Sequence, residues 1–333
     1  MKIIFMGTPE FSVPSLEALL KTNHDICLVV TQPDRPRGRR KTPVASPVKQ
    51  AASAHGIPVF QPQKVKAKDA VERLQQEHAD LIVVAAFGQI LSQEVLDLPR
   101  FGCINVHGSL LPKYRGAAPI QWAVIHGEKE AGVTIMKMDA GLDTGDILTQ
   151  GKMTLAEDET AGSLYEKLSK LGADLLVKTI DPYVKGEIVP TAQNEKESSY
   201  AGRLKREMGE LNWNQPSYVL ECEVRGFNPW PCAYTYWNGK LMKVWMAKAQ
   251  PLENVAEKIE SSDGFEGKEP GTVILGNGNI FVRTQDGFLE LIELQLAGKK
   301  RMDVSSFLRG SHLKTGDVLG KSPEGTDSQK KSG

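Results

Sequence analysis

Apolar residues in the first third of the chain fall in short unbroken runs, and between the runs they recur at helical spacing. Residues 2–6 (Lys-Ile-Ile-Phe-Met) read as a buried strand ending at a Gly7-Thr8-Pro9 turn, and the spacing over 11–20 predicts a helix. Residues 26–31 predict a second strand, 46–55 a helix, 58–60 a short third strand and 68–77 another helix. The run at 79–86 (Ala-Asp-Leu-Ile-Val-Val-Ala-Ala) is the strongest strand signal, and 103–106 is a further short strand. Unbroken apolar strands alternating with helices are typical of parallel strands buried on both faces. They predict a doubly wound, mostly parallel, Rossmann-like α/β sheet. Ligands on such sheets bind beyond the carboxyl ends of the strands, so the loops after 86 and 106 are the places to look.

Further on, a long helix is expected over 160–180, stopping before Pro182. The texture changes from Asn212. Short apolar or aromatic runs are broken by Trp237-Asn238-Gly239, Gly276-Asn277-Gly278-Asn279 and Gln285-Asp286-Gly287, which predict the hairpins of a small OB-like β-barrel. These signals divide the chain into an α/β domain over 1–189, a polar linker over 190–206, a β-barrel domain over 207–312 and a disordered tail over 313–333. The polar stretch 254–269 reads as a surface insert.

Composition narrows the class. A length of 333 residues favours two domains, and 40% hydrophobic with 25% charged residues fits a soluble globular protein. Cys27, Cys103, Cys222 and Cys232 form no C-x-x-C pair and the histidines are scattered, so neither a metal site nor a disulfide framework is expected. The N-terminal apolar run is too short for a signal peptide or a membrane span, so a cytoplasmic location is expected. The net charge of zero gives no global argument for nucleic acid. Locally, Arg35, Arg37, Arg39, Arg40, Lys41 and Lys49 occur with no acidic residue among them, and a neutral total can hide such a patch. Gly7-Thr8-Pro9 is not the G-x-G-x-x-G fingerprint, which disfavours a dehydrogenase.

The densest chemical signal is Cys103-Ile-Asn-Val-His-Gly-Ser-Leu-Leu-Pro112. Asn105 and His107, at i and i+2 on an extended segment, point to one side at the end of a strand. An amide supplies donor and acceptor, and an imidazole can donate, accept or carry charge near neutrality. The glycine-rich loop Gly141-Leu-Asp-Thr-Gly-Asp-Ile-Leu148 can bring Asp143 to the histidine and orient it. Alone, Asp143 and Asp146 read as turn-shaping residues, and Cys103 as a small buried hydrophobe. Converging Asn, His and Asp side chains would make an acyl-transfer site without a covalent nucleophile.

The strings Asn105-Val-His-Gly-Ser-Leu-Leu-Pro112 and Gly141-Leu-Asp-Thr-Gly-Asp-Ile-Leu148 closely resemble the signature of the 10-formyltetrahydrofolate-dependent formyltransferase superfamily. Three further matches resemble the branch that formylates methionyl initiator tRNA: Ile3-Ile-Phe-Met-Gly-Thr-Pro-Glu-Phe11 with Thr31-Gln-Pro-Asp-Arg-Pro36, Ser46-Pro-Val-Lys49, and Gly226-Phe-Asn-Pro-Trp-Pro231 with Ala297-Gly-Lys-Lys300. The resemblance runs from residue 1 to about 310. It implies a catalytic triad of Asn105, His107 and Asp143. It implies folate-binding residues at Ser109, Leu110, Leu111 and Pro112, and a pterin-holding loop of Phe87, Gly88, Gln89, Ile90 and Leu91. It further implies that Arg35, Arg37, Arg39, Arg40 and Lys41 form a basic loop reaching the acceptor end of the tRNA. The implied donor is 10-formyltetrahydrofolate, the implied partner is initiator methionyl-tRNA, no metal is required, and a monomer is the family's usual form. A formyltetrahydrofolate hydrolase or a sugar-nucleotide formyltransferase would share the triad and lack the basic loop and the Phe-Asn-Pro-Trp-Pro motif.

Overall fold

Four of the runs picked out by their apolar continuity form the middle of one sheet. A computed structural model describes residues 1–36, 43–256 and 267–320. Its chain folds into two compact units, Met1–Ile120 with Lys129–Ala156 and Ser163–Arg203, and Gln121–Glu128 with Glu157–Gly162 and Leu204–Gly333.

In the first unit the strands lie in the order Ile147–Thr154, Glu130–Lys137, Cys103–His107, Leu81–Ala85, Lys2–Gly7, Asp25–Val30, Val59–Phe60. Pairing is parallel from Cys103–His107 outward to Val59–Phe60, and antiparallel on both sides of Glu130–Lys137. Consecutive residues Ile3, Ile4, Phe5 and Met6 are all 0–1% exposed, as expected of a sheet covered on both faces. On one face Ile4, Met6, Leu28, Val30, Ile82 and Val84 pack with Leu74, Val95 and Phe87. Helices at Val13–Leu19, Pro47–Ala54 and Lys68–Gln75 fall where spacing placed them. Pro47–Ala54 starts at a Ser46 cap that accepts from the Lys49 amide, with Pro47 in the first turn.

In this unit two expectations need correction, and two strands are added to those expected. The long helix spans Ala161–Val184 and does not stop before Pro182, which lies inside it. The proline removes the bond to the carbonyl four residues back, and it sits in the last turn, where Tyr183 anchors the helix by donating its hydroxyl to the Phe101 carbonyl at 2.9 Å. Two strands, Glu130–Lys137 and Ile147–Thr154, were not foreseen. Residues 190–201, expected to be linker, are built into the first unit. Thr191 bridges to Ile147, and Tyr200–Ala201 pairs in parallel with Arg115–Gly116.

The second unit is built on an antiparallel sheet ordered Ala233–Trp237, Lys240–Gln250, Phe288–Leu296, Asn279–Arg283, Val273–Gly276, with Met302–Asp303 also on Phe288–Leu296. This is the expected OB-like β domain. Two of its hairpins turn at Asn238-Gly239 and Asn277-Gly278, where both central residues have positive φ (48° and 71°, 49° and 77°). Val255, Ile274, Phe281 and Phe288 form a core cluster. Trp213 is buried and its indole N–H donates to Thr235 at 3.1 Å. The tail needs correction over 313–320. Leu313 and Leu319 are 5% and 3% exposed, Val318 bridges to Thr272, and Asp317 accepts from the Trp237 indole at 3.0 Å. Two buried leucines outweigh the polar texture around them. Residues 321–333 and most of the 254–269 insert lie outside the described residues.

Candidate active site

Asn105 and His107 lie on Cys103–His107, one strand from the middle of the sheet, and are 8% and 6% exposed. Among the described residues no hydrogen bond reaches the Asn105 carboxamide, and its polar atoms are not among those sealed from solvent without a partner. His107 is hydrogen-bonded through one ring nitrogen and faces a carboxylate with the other. Its Nε2 lies 2.9 Å from the Tyr114 carbonyl, and its Nδ1 3.8 Å from Oδ2 of Asp143. A carbonyl only accepts, so Nε2 carries a proton, and Nδ1 is the nitrogen whose proton can come and go. Tyr114 presents that carbonyl from a left-handed backbone, φ 62°.

Asp143 reaches the histidine by an indirect route. The register sets Lys137 beside Ile104 and Thr134 beside His107. The chain therefore leaves its strand three residues past the histidine, about 10 Å along a strand, and residues 138–146 must turn back to bring Asp143 level. Asp139 ties the turn by accepting from the Gly141 amide and the Thr144 hydroxyl. At Gly145 a β-carbon would lie 1.8 Å from the Lys137 carbonyl oxygen, so only glycine fits there. Asp143 has φ 54°, and its Oδ2 accepts from the Gly116 amide at 2.8 Å. Gly116, at φ 115°, in turn aims that N–H.

The stretch after His107 is fixed from below by Thr134, which is fully buried. The Thr134 hydroxyl donates to the Ser109 carbonyl at 2.6 Å and accepts from the Leu111 amide at 3.1 Å. Gln150 donates to both Thr134 and the Leu111 carbonyl, at 2.9 Å each. The Ser109 hydroxyl donates to the Lys113 carbonyl at 2.7 Å, and Ser109 and Leu111 are buried, with Leu110 and Pro112 partly so.

Phe87, Gly88, Gln89, Ile90 and Leu91 follow the carboxyl end of Leu81–Ala85. Phe87 and Leu91 face inward at 2% and 5% exposure, whereas Ile90 is 80% exposed. The Gln89 side chain is spent on the Val65 amide and the Pro62 carbonyl. The Phe87 carbonyl accepts from Thr8 and Gln32, while Thr31 and Ser46 bond each other at 2.8 Å. The N-terminal sequence motifs thus work together as braces between loops. Among the described residues the amides of Phe87, Gly88, Gln89 and Ile90 make no backbone–backbone hydrogen bond.

Of the basic loop, Arg35 is described. Arg35–Pro36 pairs with Pro43–Val44 as a short antiparallel ribbon, and Arg35 is exposed. Asp34 accepts from Lys49 at 2.7 Å and from Gln61 at 2.7 Å, and the Lys49 bond holds its carboxyl below the usual range. Arg37, Arg39, Arg40 and Lys41 lie outside the described residues.

Several residues beside the site were not foreseen. Gln193 donates to the carbonyls of Asp143 and Gly145 at 2.8 and 2.7 Å, and its oxygen accepts from Arg115 at 3.0 and 2.9 Å. Arg115, only 9% exposed, also grips Glu195 through two bonds of 2.9 and 2.8 Å. These contacts raise the guanidinium pKa and lower that of Glu195. Ser199 accepts from the Tyr114 amide at 2.9 Å.

Two family models match the chain: Formyl transferase over residues 1–180, and Formyl transferase, C-terminal domain, over 203–312. The chain belongs to the formyl transferase family. It is 51% identical over 320 residues to the methionyl-tRNA formyltransferase of Agathobacter rectalis (96% of this chain, 99% of the relative). It is 49% identical over 321 residues to that of Lachnospira eligens (96% and 100%). Among solved structures it shares its fold with WlaRD, a sugar 3N-formyl transferase crystallised with dTDP and 5-N-formyl-THF, at a TM-score of 0.63 and 20% identity, covering 90% of this chain and 99% of that one.

Proposed function

We propose that this chain transfers a formyl group from 10-formyltetrahydrofolate to the α-amino group of methionyl initiator tRNA, giving N-formylmethionyl-tRNA. It acts as a cytoplasmic monomer, and Asn105, His107 and Asp143 carry the reaction. What supports the assignment most is the approach of Asp143 to His107, on a strand that also carries Asn105 two residues away, in a chain alike, over 96% of its length, to methionyl-tRNA formyltransferases. Likeness at that level outweighs the fold-level likeness to a sugar formyltransferase, and nothing specific favours a hydrolase.

The donor supplies a formyl group activated on nitrogen. Its flat lactam-edged heterocycle needs peptide-like partners, and the unpaired amides of Phe87, Gly88, Gln89 and Ile90 have that chemistry. Leu91 and Phe87 fix the loop from inside. Ser109, Leu110, Leu111 and Pro112 would line the path between that loop and His107, with Thr134 holding their backbone in place.

The amine bonds the formyl carbon while the carbon–nitrogen bond of the donor breaks. One proton leaves the amine and one joins the departing nitrogen, so a group that can accept and return a proton suffices. Nδ1 of His107 fills that role, because Nε2 is committed to Tyr114. Asp143 balances the charge that appears on the ring. The unpartnered Asn105 amide donates to the oxygen where negative charge develops, a contribution typically of about 10²–10³ in rate. Arg35 and its loop neighbours Arg37, Arg39, Arg40 and Lys41 would neutralise acceptor-stem phosphates.

The test is turnover by Asn105→Ala, His107→Asn and Asp143→Asn. Each is expected to fall by about 10²-fold or more with the fold retained. Near-wild-type turnover in any of them would remove that residue from the mechanism.

A further inference from the structure

We propose that Gln193 is a positioning residue of the transferase site, holding the returning loop at the height where the Asp143 carboxylate meets His107. This rests on the assignment of Asp143 to the mechanism above.

The loop has a geometric problem to solve. It leaves its strand beside Ile104 and must present Asp143 beside His107, with Asp143 itself at φ 54°. A non-glycine residue in that conformation persists only where its surroundings over-determine it. The Asp143 side chain is held by one amide, that of Gly116. Its backbone is held by Gln193, whose two N–H groups take the carbonyls of Asp143 and Gly145 and so span the bend. All four hydrogen-bonding positions of the Gln193 carboxamide are filled, since Arg115 donates twice to its oxygen. That fixes which way the amide faces. Were it flipped, its oxygen would meet two carbonyl oxygens. Arg115 is in turn oriented by the two-point contact with Glu195. The same segment also reaches the other partner of the imidazole, because Ser199 accepts from the amide of Tyr114. Residues 193–199 therefore form a strap that braces both groups flanking His107. Gln193 touches no reacting atom and acts through Asp143.

The experiment compares Gln193→Met, Gln193→Glu and Asp143→Asn, singly and combined, in the formylation of methionyl initiator tRNA. Gln193→Met keeps length and loses every bond. Gln193→Glu keeps the acceptor for Arg115 and loses both donors to the loop. Displacing a catalytic group by about 1 Å costs on the order of 10²-fold, so both are expected to lower kcat by about 10–100-fold. KM for donor and tRNA should stay within about twofold. A general structural lesion would instead lower the amount of folded protein or raise both KM values. In the Asp143→Asn background neither change should lower kcat further, because the group being positioned is already lost. An equal drop with and without Asp143, or unchanged turnover in both single variants, would overturn the proposal while leaving the triad intact. Wild-type turnover by Asp143→Asn would instead overturn the site assignment, and the proposal with it.

Discussion

Thr134→Val removes one hydroxyl and almost no volume. The structure says what that hydroxyl does. It donates to the Ser109 carbonyl at 2.6 Å, accepts from the Leu111 amide at 3.1 Å and accepts from Gln150 at 2.9 Å, all at a residue with no exposure. With valine, the Leu111 N–H and the Ser109 carbonyl are stranded, while Gln150 keeps its bond to the Leu111 carbonyl. A buried polar group left without a partner costs about 1–3 kcal/mol. Two of them, partly offset by the added methyl, give about 2–4 kcal/mol. In a unit of roughly 150–250 residues each kcal/mol moves Tm by about 2–4 °C, so a fall of about 5–15 °C is expected. Thr134→Ser keeps the hydroxyl and loses one methyl, which costs about 1 kcal/mol. Thermal unfolding followed by near-ultraviolet circular dichroism, with formylation assayed on the same samples, reads both consequences. Because the loop tied by Thr134 follows His107 directly, turnover should fall in the valine variant well below its unfolding temperature. A Tm within about 2 °C of wild type in Thr134→Val, or equal falls in the valine and serine variants, would refute the reasoning.

Burial pushes the Cys103 thiol up to about 12 and Cys27 up to about 11. At pH 8 only about a thousandth or less of either is thiolate, so a thiol reagent should leave both unmodified in the native enzyme and label them once denatured. Hydrogen bonds hold the carboxyls of Glu195, Asp34 and Asp303 below their usual range, from Arg115, Lys49 and the Ser306 amide respectively. A depressed folded value stabilises above the unfolded value and is lost as pH falls through the folded one. Thermal stability should therefore be flat from pH 8 to about 5 and fall below about 4; a steady loss between pH 8 and 6 would contradict this. The affinity for tRNA should fall with salt, and Arg35→Ala should reduce the slope of log K against log salt by about 1 if this residue neutralises one phosphate.

The middle of the first sheet could be read directly from the chain because its strands are continuous apolar runs, as at Lys2–Gly7 and Leu81–Ala85. Glu130–Lys137 and Ile147–Thr154 were not, because Gly132, Gly151 and the polar alternation of the outer strand blunt that signal. The two hairpins turning at Asn238-Gly239 and Asn277-Gly278 carry their own turn chemistry and were legible. Among candidate site residues, Asn105 and His107 stand out because a strand places i and i+2 together. Thr134, Arg115, Gln193, Glu195 and Ser199 do not, because each is an ordinary polar residue until the fold joins separate segments, 25 positions apart for Thr134 and Ser109 and 80 for Arg115 and Glu195. The 190–201 segment has the composition of a linker, and only its partners make it part of the first unit.

The most direct measurement is formylation of methionyl initiator tRNA by the purified chain with 10-formyltetrahydrofolate, with free methionine, elongator methionyl-tRNA and no acceptor run alongside. Formyl transfer to the initiator in preference to every control is the predicted result. Formate release that does not depend on the acceptor, or transfer to free methionine as readily as to the initiator, would contradict the proposed function.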